Sequence, residues 1–104
     1  MQLTNNDIYN INYGLNKIID NEMSGRLAFK LYKIKKQVED EVILIGKSLE
    51  GKEEDSKEVK EVLEMKNDIE IGMIKASELE ELKLSVKDVF LLEKIIDFEE
   101  EANE

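Results

Sequence analysis

Residues 24–50 read SGRLAFKLYKIKKQVEDEVILIGKSLE, the longest unbroken pattern in the chain. Leu27, Leu31, Ile34, Val38, Val42, Ile45 and Leu49 follow one another at steps of four, three, four, four, three and four. That spacing holds side chains on one face of an α-helix, and no strand can hold it. The stretch predicts a single helix of about 40 Å at ~1.5 Å per residue, with the rest of the chain packed on it or leaving from it. Its mean step of about 3.7 residues lies nearer the eleven-residue repeat than the heptad, so a long neighbour would run beside it with little left-handed supercoil. Phe29, Tyr32 and Ile43 fall on a second face, flanked by Lys33 and Lys36. With two faces to bury, one takes a first helix and the other the C-terminal helix; failing that, the second face is a partner site.

Before this stretch, Thr4 stands three residues ahead of Asp7, an N-cap followed by an acid in the first turn. Ile8, Ile11, Leu15, Ile18 and Ile19 then mark a first helix to about Asp20, and the short break at 20–25 brings it back antiparallel on the long helix. Six asparagines between positions 5 and 21 make this helix dependent on docking.

Within the long helix, Gly46-Lys47-Ser48 has the ending of a phosphate-binding loop. The glycine required five positions earlier is Glu41, and no strand precedes it. Gly51 suits the helix C-cap. The acidic loop at 51–56 does not have the alternating ligands of a calcium loop. Asp55 and Glu58 then form a capping-box-like start for a third helix carrying Val59, Val62 and Leu63 and ending near Lys66 or Asn67; it is the least stable of the helices.

At Ile69 the period changes to two: Ile69, Ile71 and Met73 alternate with Glu70, Gly72 and Ile74, predicting one short strand or ribbon near 69–75. Its partner is Gln2–Thr4, Leu82–Leu84 or the same strand of a second copy. Ser77 and Glu80 cap a short turn. Ser85, with Asp88 three residues later, caps a final helix from Val86 to about Glu100. Its apolar residues Val89, Phe90, Leu91, Leu92, Ile95, Ile96 and Phe98 cover more surface than one docking site needs. Either that helix is central to the core or it presents Phe90, Leu91, Ile95 and Phe98 to another chain.

The fold class is therefore mostly α with a minor β component: a long antiparallel helical hairpin, a C-terminal helix and one short strand. Residues 1–98 form a single domain and 99–104 an acidic, frayed tail.

The chain of 104 residues contains no Cys, His, Trp or Pro. Thiol chemistry and thiolate metal sites are excluded, and acid–base work without histidine would need a spaced pair of perturbed carboxylates that does not stand out. The five serines are explained as caps or loops. The reading is non-enzymatic, with no cofactor. No run reaches the length of a membrane span and no signal peptide is visible, so a soluble protein of the bacterial cytoplasm is expected.

The net charge of −10 is uneven: residues 1–48 carry +1 and residues 49–104 carry −11. An acidic second half, including Glu78, Glu80 and Glu81, repels nucleic acid and favours basic proteins. The sole basic concentration is Arg26, Lys30, Lys33, Lys35 and Lys36, too weak a footprint for direct nucleic-acid binding in so acidic a chain.

Leu3-Thr4-Asn5-Asn6-Asp7-Ile8-Tyr9-Asn10, then Leu27-Ala28-Phe29-Lys30-Leu31, then Glu70-Ile71-Gly72-Met73-Ile74-Lys75-Ala76-Ser77-Glu78-Leu79-Glu80 together resemble a small phage and prophage family of Gram-positive bacteria with no assigned function. The resemblance covers most of the chain except 51–66. It implies a phage-derived origin and carries over no catalytic or binding residues.

Two functions fit. One is a phage-encoded module that binds a host or defence protein stoichiometrically, as an inhibitor of anti-CRISPR type would, with a basic nucleic-acid-handling protein as target. The other is a component of virion head or tail assembly, located in the virion and acting by self-association. The partner-binding residues are Phe29, Tyr32, Lys33, Lys36, Phe90, Leu91, Ile95, Phe98, Glu78, Glu80 and Glu81, and a homodimer is compatible with either function.

Overall fold

The computed structural model describes residues 1–99 and is mostly helical, with one long helix and two small sheets. Its elements run β1 (Gln2–Thr4), α1 (Asn5–Ile18), α2 (Gly25–Leu49), α3 (Lys57–Glu64), β2 (Lys66–Asp68) and β3 (Ile74–Lys75). A 3-10 helix (Ala76–Glu81), α4 (Val86–Leu92), a second 3-10 turn (Glu93–Ile95) and β4 (Ile96–Asp97) complete the chain.

Local chemistry sets most helix starts. Thr4 Oγ1 accepts the Asp7 N–H at 2.9 Å while the Asp7 carboxylate accepts the Thr4 N–H at 2.9 Å. Ser85 and Asp88 exchange the same pair of bonds at the start of α4. Ser24 caps α2 through the Leu27 N–H, and at the other end Gly51 takes φ 79°, the left-handed turn that glycine supplies at least cost. Helix α2 runs through Gly46 to Leu49 without a break.

Helix α2 buries Leu27, Leu31, Ile34, Val38 and Ile45, the stripe its periodicity marks. The centre of the packing is nevertheless α1. It buries Ile8, Ile11, Leu15 and Ile18 and touches β1, α2, α3, α4 and the second 3-10 turn, whereas α2 packs chiefly on α1 and α3. Gly14 permits this: a Cβ there would lie 2.9 Å from Leu92 Cδ2 and 3.0 Å from Leu91 Cβ, so glycine is what lets α4 close onto α1. The second face of α2 stays uncovered. Phe29, Tyr32 and Ile43 are exposed because the C-terminal helix goes to α1 instead.

The strand expected near 69–75 is replaced by two separate pairings. β1 pairs antiparallel with β2, Leu3 opposite Asn67, so the N-terminal segment is indeed a strand partner but for 66–68. This also stops α3 at Glu64, short of Lys66. Residues 69–73 form no strand, although the Ile69 N–H donates to the Met1 carbonyl at 3.0 Å, and alternation fails at Met73, which is exposed while Ile74 is buried. The Gln37 side chain stands in for a strand here, its Oε1 accepting the Gly72 N–H at 3.2 Å and its Nε2 donating to the Glu70 carbonyl at 3.5 Å. β3 pairs in parallel with β4, Ile74 opposite Ile96, and Leu82–Leu84 forms no strand.

Two caps differ from expectation. Ser56, not Asp55, caps α3 through the Val59 N–H at 3.1 Å, leaving Asp55 in the left-handed region at φ 62°. The 76–81 turn is capped by Glu78, which accepts the Lys75 N–H at 2.9 Å, in place of Ser77 and Glu80.

The final helix ends at Leu92, not near Glu100. Its apolar excess is thereby explained: Val89 and Leu92 serve a helix, while Ile95 and Ile96 serve a turn and a strand that inserts both side chains into the core. Glu99 accepts the Ser77 N–H at 3.0 Å, and the remainder of the acidic tail, 100–104, lies outside the described residues. The molecule extends 45 × 31 × 24 Å.

Candidate interaction surface

Three surfaces collect the exposed apolar and charged side chains. The first is the outer face of α2, directly opposite its buried stripe. Phe29 is 73% exposed, and Tyr32, Ile43 and Leu44 stand out beside it. Lys33 and Lys36 are exposed on the same face and, with Arg26, pair with no carboxylate among the described residues. Phe29 and Lys33 also border a shallow depression whose floor is Ile34 and Gly72.

The second surface is a groove of about 620 Å³ between the end of α1 and the first half of α2. Leu15, Ile18, Ala28 and Leu31 line it, with Ile19, Met23 and Tyr32 also contributing. Lys35 flanks it and is held in place, donating to Asn12 Oδ1 at 2.8 Å and pairing with Glu39 at 3.0 Å. Sequence reasoning missed this groove. The signal was the doublet Ile18-Ile19, since adjacent helical residues cannot both enter one core: Ile18 is buried and Ile19 is exposed.

The third surface is C-terminal. Phe90 is 66% exposed on α4 with Val86 one turn before it. Phe98 and Glu80 border a smaller depression over Leu79, Leu82 and Ile96.

The residues singled out in the sequence thus do not form one site. Phe29, Tyr32, Lys33 and Lys36 share the α2 face, and Phe98 and Glu80 adjoin one another. Leu91 is half-buried against α1. Ile95 is 0% exposed and cannot present itself to a partner. Two of the acids are engaged inside the molecule. Glu81 accepts the Ser24 N–H at 2.7 Å and the Ser24 hydroxyl at 2.9 Å, tying the 3-10 helix to the start of α2. Glu78 pairs with Lys30 at 2.8 Å. The Lys30 hydrogen bond first, then that from the Lys75 N–H, holds the Glu78 pKa below the usual glutamate value.

No family model, curated protein or solved structure matches the chain. Its functional reading therefore rests on its own surfaces. Among the described residues no three His, Cys, Asp or Glu side chains converge where they could hold a metal ion. No helix among them is long and apolar enough to cross a membrane.

Proposed function

We propose that this chain is a non-enzymatic, phage-derived accessory protein that acts in the cytoplasm of a bacterial host by stoichiometric protein–protein binding. In this reading the α1–α2 unit is a rigid antiparallel hairpin, and the target is a host or defence complex that handles nucleic acid, inhibited in the anti-CRISPR manner. The supporting observation is the C-terminal surface, where Phe90 and Phe98 are exposed in the half of the chain that carries a charge of −11. Exposed aromatic anchors in an acidic half of the chain suit a basic protein surface, the anchors supplying affinity and the net charge supplying encounter rate. The phage-derived origin is proposed from the sequence resemblance of segments 3–10, 27–31 and 70–80 alone.

The test is capture from bacterial lysate with tagged chain, followed by reconstitution with the purified partner. A one-to-one complex with a basic nucleic-acid-handling protein, weakened at least ~10-fold by Phe90→Asp with unchanged thermal midpoint, is the expected result. Recovery of head or tail proteins instead supports virion assembly, the second reading, which the presence of separate apolar surfaces on α2 and α4 favours.

A further inference from the structure

The outer face of α2 carries a second pattern that the buried stripe does not use. Phe29, Lys33, Lys36, Asp40, Ile43 and Lys47 succeed one another at steps of four, three, four, three and four. This is the spacing of a helix–helix seam, on the side of α2 away from the core. Its own charges are Lys33, Lys36, Asp40 and Lys47, and charge is polarised along the helix as a whole. Residues 24–36 carry five basic and no acidic side chains, while residues 37–50 carry four acidic and one basic. Apolar groups mark the two ends, Phe29 and Tyr32 at one, Ile43 (56% exposed) and Leu44 (57% exposed) at the other.

We infer that this face is the interface of an isologous homodimer in which the two α2 helices pack antiparallel, with the two-fold axis near Lys36 and Gln37. That register sets Phe29 against Ile43 and Leu44 of the second copy, and Lys33 against its Asp40. The symmetry repeats both contacts. On one helix Lys33 and Asp40 are about 10 Å apart along the axis, and Phe29 and Leu44 about 22 Å, so apolar contacts close both ends of a charged centre. A parallel pair would put Lys33, Lys36, Asp40 and Lys47 each against its own copy, whereas the antiparallel pair brings like charges together only at the axis, Lys36 beside Lys36, and at the ends, Lys47 level with Arg26. Polar residues within such a seam fix orientation and register. The four apolar side chains on both copies supply on the order of 1,000 Å² of buried surface, and the stems of Lys33 and Lys36 bring the total to about the 1,200 Å² where specific interfaces begin. The inference is independent of the foreign partner proposed for the C-terminal surface.

Charge reversal tests it. Purified chain should sediment as a dimer that dissociates on dilution. Lys33→Asp and Asp40→Lys should each weaken self-association about 10-fold or more, because each introduces two symmetry-related repulsions. Mixing the two variants should restore a heterodimer, and both substitutions in one chain should restore the homodimer, since each again sets a lysine against an aspartate. Circular dichroism, and the thermal midpoint at concentrations where every form is monomeric, should stay unchanged, because neither side chain has an ion-pair partner among the described residues. A chain that is monomeric at every concentration would overturn the inference. So would a dimer indifferent to both reversals, or one that the mixture fails to rescue.

Discussion

Asn5 is the buried polar residue on which the N-terminal half of the molecule converges. Its Nδ2 donates to the Val62 carbonyl at 2.7 Å, its Oδ1 accepts from Asn67 Nδ2 at 2.7 Å, and its backbone N–H donates to the Met65 carbonyl at 3.0 Å. One amide thus joins the first turn of α1 to the end of α3 and to β2. Burying it is tolerable only because both ends are satisfied. Asn5→Ala should lower unfolding free energy by ~1–3 kcal/mol, read from urea titration, since it leaves the Val62 carbonyl with the Met65 N–H alone and one Asn67 N–H unpaired. In the sequence Asn5 is one of five asparagines along the first helix and nothing sets it apart. Its role needs Val62 and Asn67, which are more than fifty positions away.

At the scale of elements, the 3-10 helix at 76–81 is fastened to the first turns of α2 by two carboxylates, Glu78 on Lys30 and Glu81 on Ser24. A carboxyl whose folded pKa lies below its unfolded value adds stability that is complete above the unfolded value and lost as pH falls through the folded one. Glu78 is such a group. Urea midpoints of wild type and Glu78→Gln should therefore differ at neutral pH and converge on the acid side of the usual glutamate pKa. A difference that persists unchanged below that range would mean the ion pair is not its source. Glu78 and Glu81 read in the sequence as partner-binding acids, because nothing local distinguishes a carboxylate with an internal partner from one without.

For the whole molecule, α1 is the hub and α3 the outlier: α3 buries none of its residues completely, while α1 buries six. Hydrogen exchange should show α1 amides exchanging last and α3 first, because local opening follows local burial. Slow exchange in α3 would require contacts this arrangement does not contain. The long helix, its buried stripe, the Thr4 and Ser85 caps and the glycine after α2 were all legible from order alone. Each depends on residues within one or two turns of each other, and helical periodicity and capping are local physics. The mobile choices were the non-local ones. Whether 66–68 or 69–75 pairs with the N-terminus, whether Ile95 and Ile96 continue a helix or enter a sheet, and which helix α4 covers depended on competition for one core. Gly14 decided the last of these by admitting Leu91 and Leu92 close to α1, and that left the outer face of α2 free. Periodicity marked that face as apolar, but only the packing of the whole chain settled that nothing in the described molecule covers it.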